Sequence, residues 1–93
     1  MSWSVSASGS VKDVVEKLAE QFSFLVEPPA GLPNEGERET VRLVSGVVEQ
    51  CLGTFSPGRL VKVSAYGHLG YNDWDAKDGA YQEVSLSIGI LRG

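Results

Sequence analysis

One cysteine, Cys51, and one histidine, His68, are all the soft metal-ligand chemistry that these 93 residues hold. A lone cysteine excludes an intramolecular disulfide, and one histidine with one cysteine does not furnish a zinc set. Positive charge is also scarce. Eight Lys and Arg face twelve Asp and Glu, for a net charge of −4. Lys12, Lys17, Arg38, Arg42, Arg59, Lys62, Lys77 and Arg92 are spread along the chain and form no cluster that would neutralise a run of phosphates, so nucleic acid is not an expected partner. No apolar run has the length of a membrane span, so no membrane is expected either. The first residues lack a basic stretch followed by an apolar one, so a secretory signal is not expected and a reducing cytoplasm is the simplest compartment. Gly67 and Gly70 have neither the lysine nor the following helix of a phosphate-cradling loop, and none of the many serines sits in a nucleophile elbow.

What the chain does have is alternation. Ser2-Trp-Ser-Val-Ser-Ala-Ser8, Leu60-Val-Lys-Val-Ser-Ala-Tyr66 and Glu83-Val-Ser-Leu-Ser-Ile-Gly-Ile90 each set a polar residue against an apolar one, the period of a half-buried strand. Between the first two the period becomes helical. Ser10 with Asp13 three residues on marks a helix start, and Val11, Val14, Val15, Leu18, Ala19 and Phe22 share one face. Lys12 with Glu16 and Asp13 with Lys17 are spaced for ion pairs on the wet side. Pro28, Pro29, Gly31 and Pro33 end that helix, since proline lacks the required donor. Asn34 and Glu37 then repeat the capping pattern, and Val41, Val44, Val48, Cys51 and Leu52 continue an apolar face that Leu43 and Val47 widen. Cys51 reads as a small buried hydrophobe. Gly46 interrupts this helix at a cost of about 1 kcal/mol, which a close approach to the sheet or the other helix would explain and a hinge would explain otherwise. Gly53 suits a left-handed cap, and Ser56-Pro57-Gly58 a turn.

These elements predict one α+β domain over residues 1–93: a two-layer β-α-α-β-β arrangement, with a three-stranded mixed or antiparallel sheet carrying two antiparallel helices on one face. Strand one should run antiparallel to strand two and parallel to strand three, with the strand order left open. Trp3, Val5, Ala7, Val61, Val63, Ala65, Val84, Leu86, Ile88 and Ile90 should face the helices. Ser2, Ser4, Ser6, Ser8, Lys62, Ser64, Tyr66, His68, Tyr81, Glu83, Ser85 and Ser87 should face away, as a solvated surface or as a contact surface for a partner.

Leu69-Gly-Tyr-Asn-Asp-Trp-Asp-Ala-Lys-Asp-Gly79 exceeds the roughly two to five residues usual in hairpins. Tyr71 and Trp74 beside Asp73, Asp75 and Asp78 offer aromatic anchors for a binding loop, or else Trp74 folds back over the end of the core. A calcium loop does not fit: Lys77 takes a ligand position, the glycine falls at the wrong offset and Val84 stands where a bidentate glutamate belongs. His68 has no partners for a metal or a catalytic triad and reads as a strand-end or interface residue. The candidate binding residues are therefore Tyr66, His68, Tyr71, Asp73, Trp74, Asp75 and Tyr81, with no catalytic residue, metal or cofactor expected.

Met1-Ser-Trp-Ser-Val-Ser6, Lys62-Val-Ser-Ala-Tyr-Gly-His68 and Val84-Ser-Leu-Ser-Ile88, taken together, resemble a type of small accessory protein encoded by tailed bacteriophages and prophages. The resemblance covers the strand segments and implies an origin more than a mechanism. It frames two expectations. One is a non-enzymatic module that binds a host or phage protein in the bacterial cytoplasm. The other is a structural component of the virion, a decoration or head-tail protein, that forms a homo-oligomer through sheet edges or faces.

Overall fold

The structure is a computed structural model that describes residues 2–27, 31–71 and 80–92, with side chains described for 2–27, 31–68 and 83–92. The elements run β1 (Ser2–Ser10), α1 (Val11–Val26), α2 (Glu35–Leu52), β2 (Leu60–Tyr71) and β3 (Ala80–Ile90). The predicted β-α-α-β-β domain is what forms. Its sheet is antiparallel throughout, in the order β1-β2-β3, so the strand order left open in the sequence resolves with β2 at the centre.

Local chemistry starts both helices as the capping patterns predict. The Ser10 hydroxyl accepts from the Asp13 backbone N–H at 3.2 Å, and the Asn34 side-chain oxygen accepts from the Glu37 N–H at 3.1 Å. The second box is only half made, because the Glu37 side chain is buried with both carboxylate oxygens lacking a partner among the described residues. Gly9, at φ +136°, takes the backbone conformation from which β1 swings into α1.

The core lies between the two helices and the inner face of the sheet. Val11, Val14, Leu18 and Phe22 of α1 meet Val41, Val44, Val48 and Leu52 of α2 over Trp3, Val5, Val61, Val63 and Ala65. Trp3 lies opposite Gly67 in the β1–β2 register, and its indole occupies the space a side chain at 67 would need. β2 runs past Gly67 to Tyr71, beyond the Leu60–Tyr66 alternation, because its last residues continue to pair with β3.

Several expectations are corrected. Cys51 is exposed, because the buried stripe of α2 passes through Val44, Val48 and Leu52 and leaves it on the flank. Leu43 and Val47 are exposed for the same reason and do not widen the core. Gly46 makes no close approach: a β-carbon there would meet nothing within 4 Å. Gly53 is right-handed, at φ −64° and ψ −15°, because the helix ends in a tightened turn. There Thr54 N–H donates to Cys51 O at 3.2 Å, Phe55 N–H donates to Leu52 O at 3.1 Å, and the Thr54 hydroxyl adds a bond to Cys51 O at 2.7 Å. The Lys12–Glu16 and Asp13–Lys17 pairs do not form. Glu35 instead pairs with Arg38 and with Arg42. The last correction concerns β3, whose helix-side residues are poorly covered: Val84 is 44% exposed and Ile90 49%, with Leu86 and Ile88 half-buried at the margin of the core.

Candidate functional site

The pleat of β1, β2 and β3 sorts the polar residues onto the outer face in cross-strand rows. Ser2, His68 and Glu83 form one row, Ser4, Tyr66 and Ser85 the next, and Ser6, Ser64 and Ser87 a third, all exposed. Tyr66 is the large apolar feature of this face, 48% exposed at the middle of a row. Beside it lies a shallow hollow of 190 Å³ edged by Ser4, Ser6, Ser64 and Ser85. The face therefore offers hydroxyl donors and acceptors around one aromatic ring, with the His68 imidazole directly across from the Glu83 carboxylate.

The second feature is an arm. β1 begins at Ser2, opposite His68, so the pairs Leu69–Gln82, Gly70–Tyr81 and Tyr71–Ala80 continue β2 and β3 as a two-stranded ribbon with no third strand beside it among the described residues. The backbone of Tyr71 and Tyr81 belongs to this ribbon, while their side chains lie outside the described residues. Asp73, Trp74 and Asp75 lie outside the described residues altogether. Of the seven candidate residues, the structure thus places Tyr66 and His68 on the outer face and sets the backbone of Tyr71 and Tyr81 on the arm that extends from it. It does not address the remaining three.

Among the described residues, a clear electrostatic perturbation is found at the start of α2. A hydrogen bond from Arg38 holds the Glu35 carboxyl below the usual carboxylate range, helped by the charges of Arg38 and Arg42. Arg38 also donates to Leu32 O at 2.5 Å, so this cluster fastens the loop into α2 and has the character of a cap. Among the described residues no group of three or more His, Cys, Asp or Glu is placed to hold a metal ion, and no helix is long and apolar enough to cross a membrane.

Two features escaped sequence reasoning. The Gln21 carboxamide reaches the open edge of β1, accepting from Ser6 N–H at 3.0 Å and donating to Ser6 O at 2.8 Å. Nothing in a helical glutamine signals such a role. The uncovered inner side of β3 was hidden by an alternation as regular as that of β1. Comparison with protein-family models, with curated proteins and with solved structures finds no match.

Proposed function

We propose that this chain is a non-enzymatic protein-binding module, of the phage accessory type that its strand sequences resemble, acting on a host or phage protein in the cytoplasm of a bacterial host. The observation that carries the reading is the β2–β3 arm, which extends past β1 from the exposed Tyr66 and His68 and leads into the segment with Tyr71, Asp73, Trp74 and Asp75. Aromatic side chains on a projecting ribbon are effective anchors, since they bury a large area at little entropic cost. The test is capture from infected or lysogenic cells with the tagged chain and with a Tyr66→Ala/Tyr71→Ala/Trp74→Ala variant whose far-UV circular dichroism matches the wild type. One dominant host or phage partner lost in the variant supports the reading. A partner retained in full by the variant refutes it.

A second reading, a decoration or head-tail component of the virion, is favoured by a different observation, the uncovered β3 edge of the sheet. Stoichiometric copies in purified particles would support it, and their absence would remove it.

A further inference from the structure

The two edges of this sheet are finished differently. In an antiparallel sheet a residue's backbone N–H and C=O both point to the same neighbour, and successive residues alternate. Ser6 directs its pair away from β2, and Gln21 takes both groups at 3.0 and 2.8 Å. The outer edge of β1 is thereby plugged at its middle. On β3, Leu91 N–H donates inward to Leu60 O at 2.9 Å, so the odd-numbered residues bond to β2. The register, with Ser87 opposite Ser64 and Gly89 opposite Lys62, carries the same alternation along the strand. Val84, Leu86, Ile88 and Ile90 therefore turn their N–H and C=O outward, where no group among the described residues meets them.

The same four residues carry the apolar side chains that the helices leave uncovered. The helical layer sits toward β1. Gln21 reaches that strand's outer edge, and Ser45 and Glu49 of α2 line the seam with Val15, Ala19 and Phe22 of α1. At about 100° per residue, the flank of α2 opposite that seam carries Val47 and Cys51. Both are exposed, Val47 at 47%. Most of the apolar residues that the sequence pattern marks as core and the single chain leaves uncovered thus fall on the inner face of β3 and on the flank of α2 turned away from α1.

We propose that β3 pairs antiparallel with β3 of a second copy about a two-fold axis at Ser87, joining two three-stranded sheets into one of six. Self-complementarity identifies the occupant. Residues opposite one another must share a face, so the axis must pass through a residue and not between two. Centred on Ser87, the register sets Leu86 opposite Ile88 of the second copy and Val84 opposite Ile90, so all four outward-facing residues exchange hydrogen bonds and all four side chains find apolar neighbours. Centred on Leu86, it would place Ile90 against Gln82; centred on Ile88, Val84 against Arg92. The Ser87 register sets no like charges opposite each other. An isologous contact of this kind closes on itself and leaves only the Gln21-plugged β1 edges outermost. The inference rests on β3 and not on the arm, so its failure would leave the binding-module reading untouched.

The experiment uses the full chain in a Cys51→Ser background. Ser87 is exposed on the outer face, and about the axis the two Ser87 residues form a non-hydrogen-bonded pair with Cα atoms about 4.5 Å apart, within disulfide reach. Ser87→Cys should therefore oxidise to a species of twice the 10.0 kDa chain mass on non-reducing gels. Ser85→Cys should not, because the two copies of residue 85 stand four residues out of register, about 14 Å apart. Sedimentation of the unmodified chain should give the same doubled mass, and Ile88→Lys should halve it. A monomer at sub-millimolar concentration, cross-linking of S85C as readily as S87C, or no cross-linking of S87C would each overturn the proposal. If Ile88→Lys fails to fold, the two cysteine variants still decide.

Discussion

Gly67→Ala should be among the most damaging one-carbon changes in this protein. A β-carbon at 67 would fall within 2.7 Å of Trp3 Cζ2 and closer still to Nε1 and Cε2. The indole is 6% exposed and hemmed in by the core, so it has no free direction of retreat. Complete expulsion of a tryptophan would forfeit about 5 kcal/mol, taking roughly 200 Å² of apolar area at 25 cal/mol per Å². A displacement that loses half of this contact costs about 2.5 kcal/mol, in the range of ordinary overpacking. Alanine returns about 0.5–1 kcal/mol by restricting the unfolded chain, which leaves a net loss near 2 kcal/mol. Urea unfolding followed by far-UV circular dichroism at fixed protein concentration measures it. The decisive control is the same substitution in a Trp3→Leu background, where the shorter side chain no longer occupies the space over residue 67. There Gly67→Ala should be neutral or stabilising. An equal loss in both backgrounds would refute the steric argument.

The remaining predictions concern the helices and their ends. Gly46→Ala should stabilise by about 1 kcal/mol, since the position is helical and open to solvent, and a lower urea midpoint would contradict this. Glu37→Met should raise stability by about 1 kcal/mol, because removing an unpartnered buried carboxylate relieves about 1–3 kcal/mol while forgoing a helix-dipole benefit of about 0.3–1; an unchanged or lower melting temperature would count against it. Gln21→Ala should cost about 1 kcal/mol through two solvent-accessible bonds and speed hydrogen exchange at the Ser6 amide, an effect absent if the edge plug is idle. The Glu35 carboxyl is lowered in the folded state from 4.5, so its contribution to stability is complete above that value and is lost as pH falls through the lowered one. Comparing urea midpoints at about pH 6 and pH 3 for the wild type and Arg38→Met tests this, the variant losing the part of the acid sensitivity that comes from Glu35.

Period and capping carried most of the fold into the sequence. Strand alternation in β1 and β2 predicted the faces of Trp3, Val5, Val61, Val63 and Ala65, and the Ser10 and Asn34 caps located the first turn of each helix to the residue. Less legible were features that depend on contacts between segments distant in sequence. Gly67 reads as the end of a strand because its justification, the Trp3 indole, comes from the far end of the chain. Gln21 belongs by pattern to the helix surface, yet it serves as a substitute neighbour for β1. Of the candidate site, alternation predicted the exposure of Tyr66 and His68 because each needs only its own strand.

Apart from Ala19, the errors about burial fall on β3 and α2. Val84, Ile90, Val47 and Cys51 carry patterns that mark them as core, yet each is exposed, and they lie on the inner face and edge of β3 or on the flank of α2 away from α1. On β1 and α1 the same kind of pattern is met by burial at Trp3, Val5, Val11, Val14, Leu18 and Phe22, with Ala19 as the exposed exception. A period rule that fails at random would scatter its failures over every element. Failures concentrated on one edge strand and one helix flank are what the proposed pairing of β3 with a second copy would account for at the strand. Under the proposed pairing, the difference between the plugged β1 edge and the open β3 edge has a single physical account: one edge is kept from acquiring a neighbour, and the other takes one to bury what the sequence placed there.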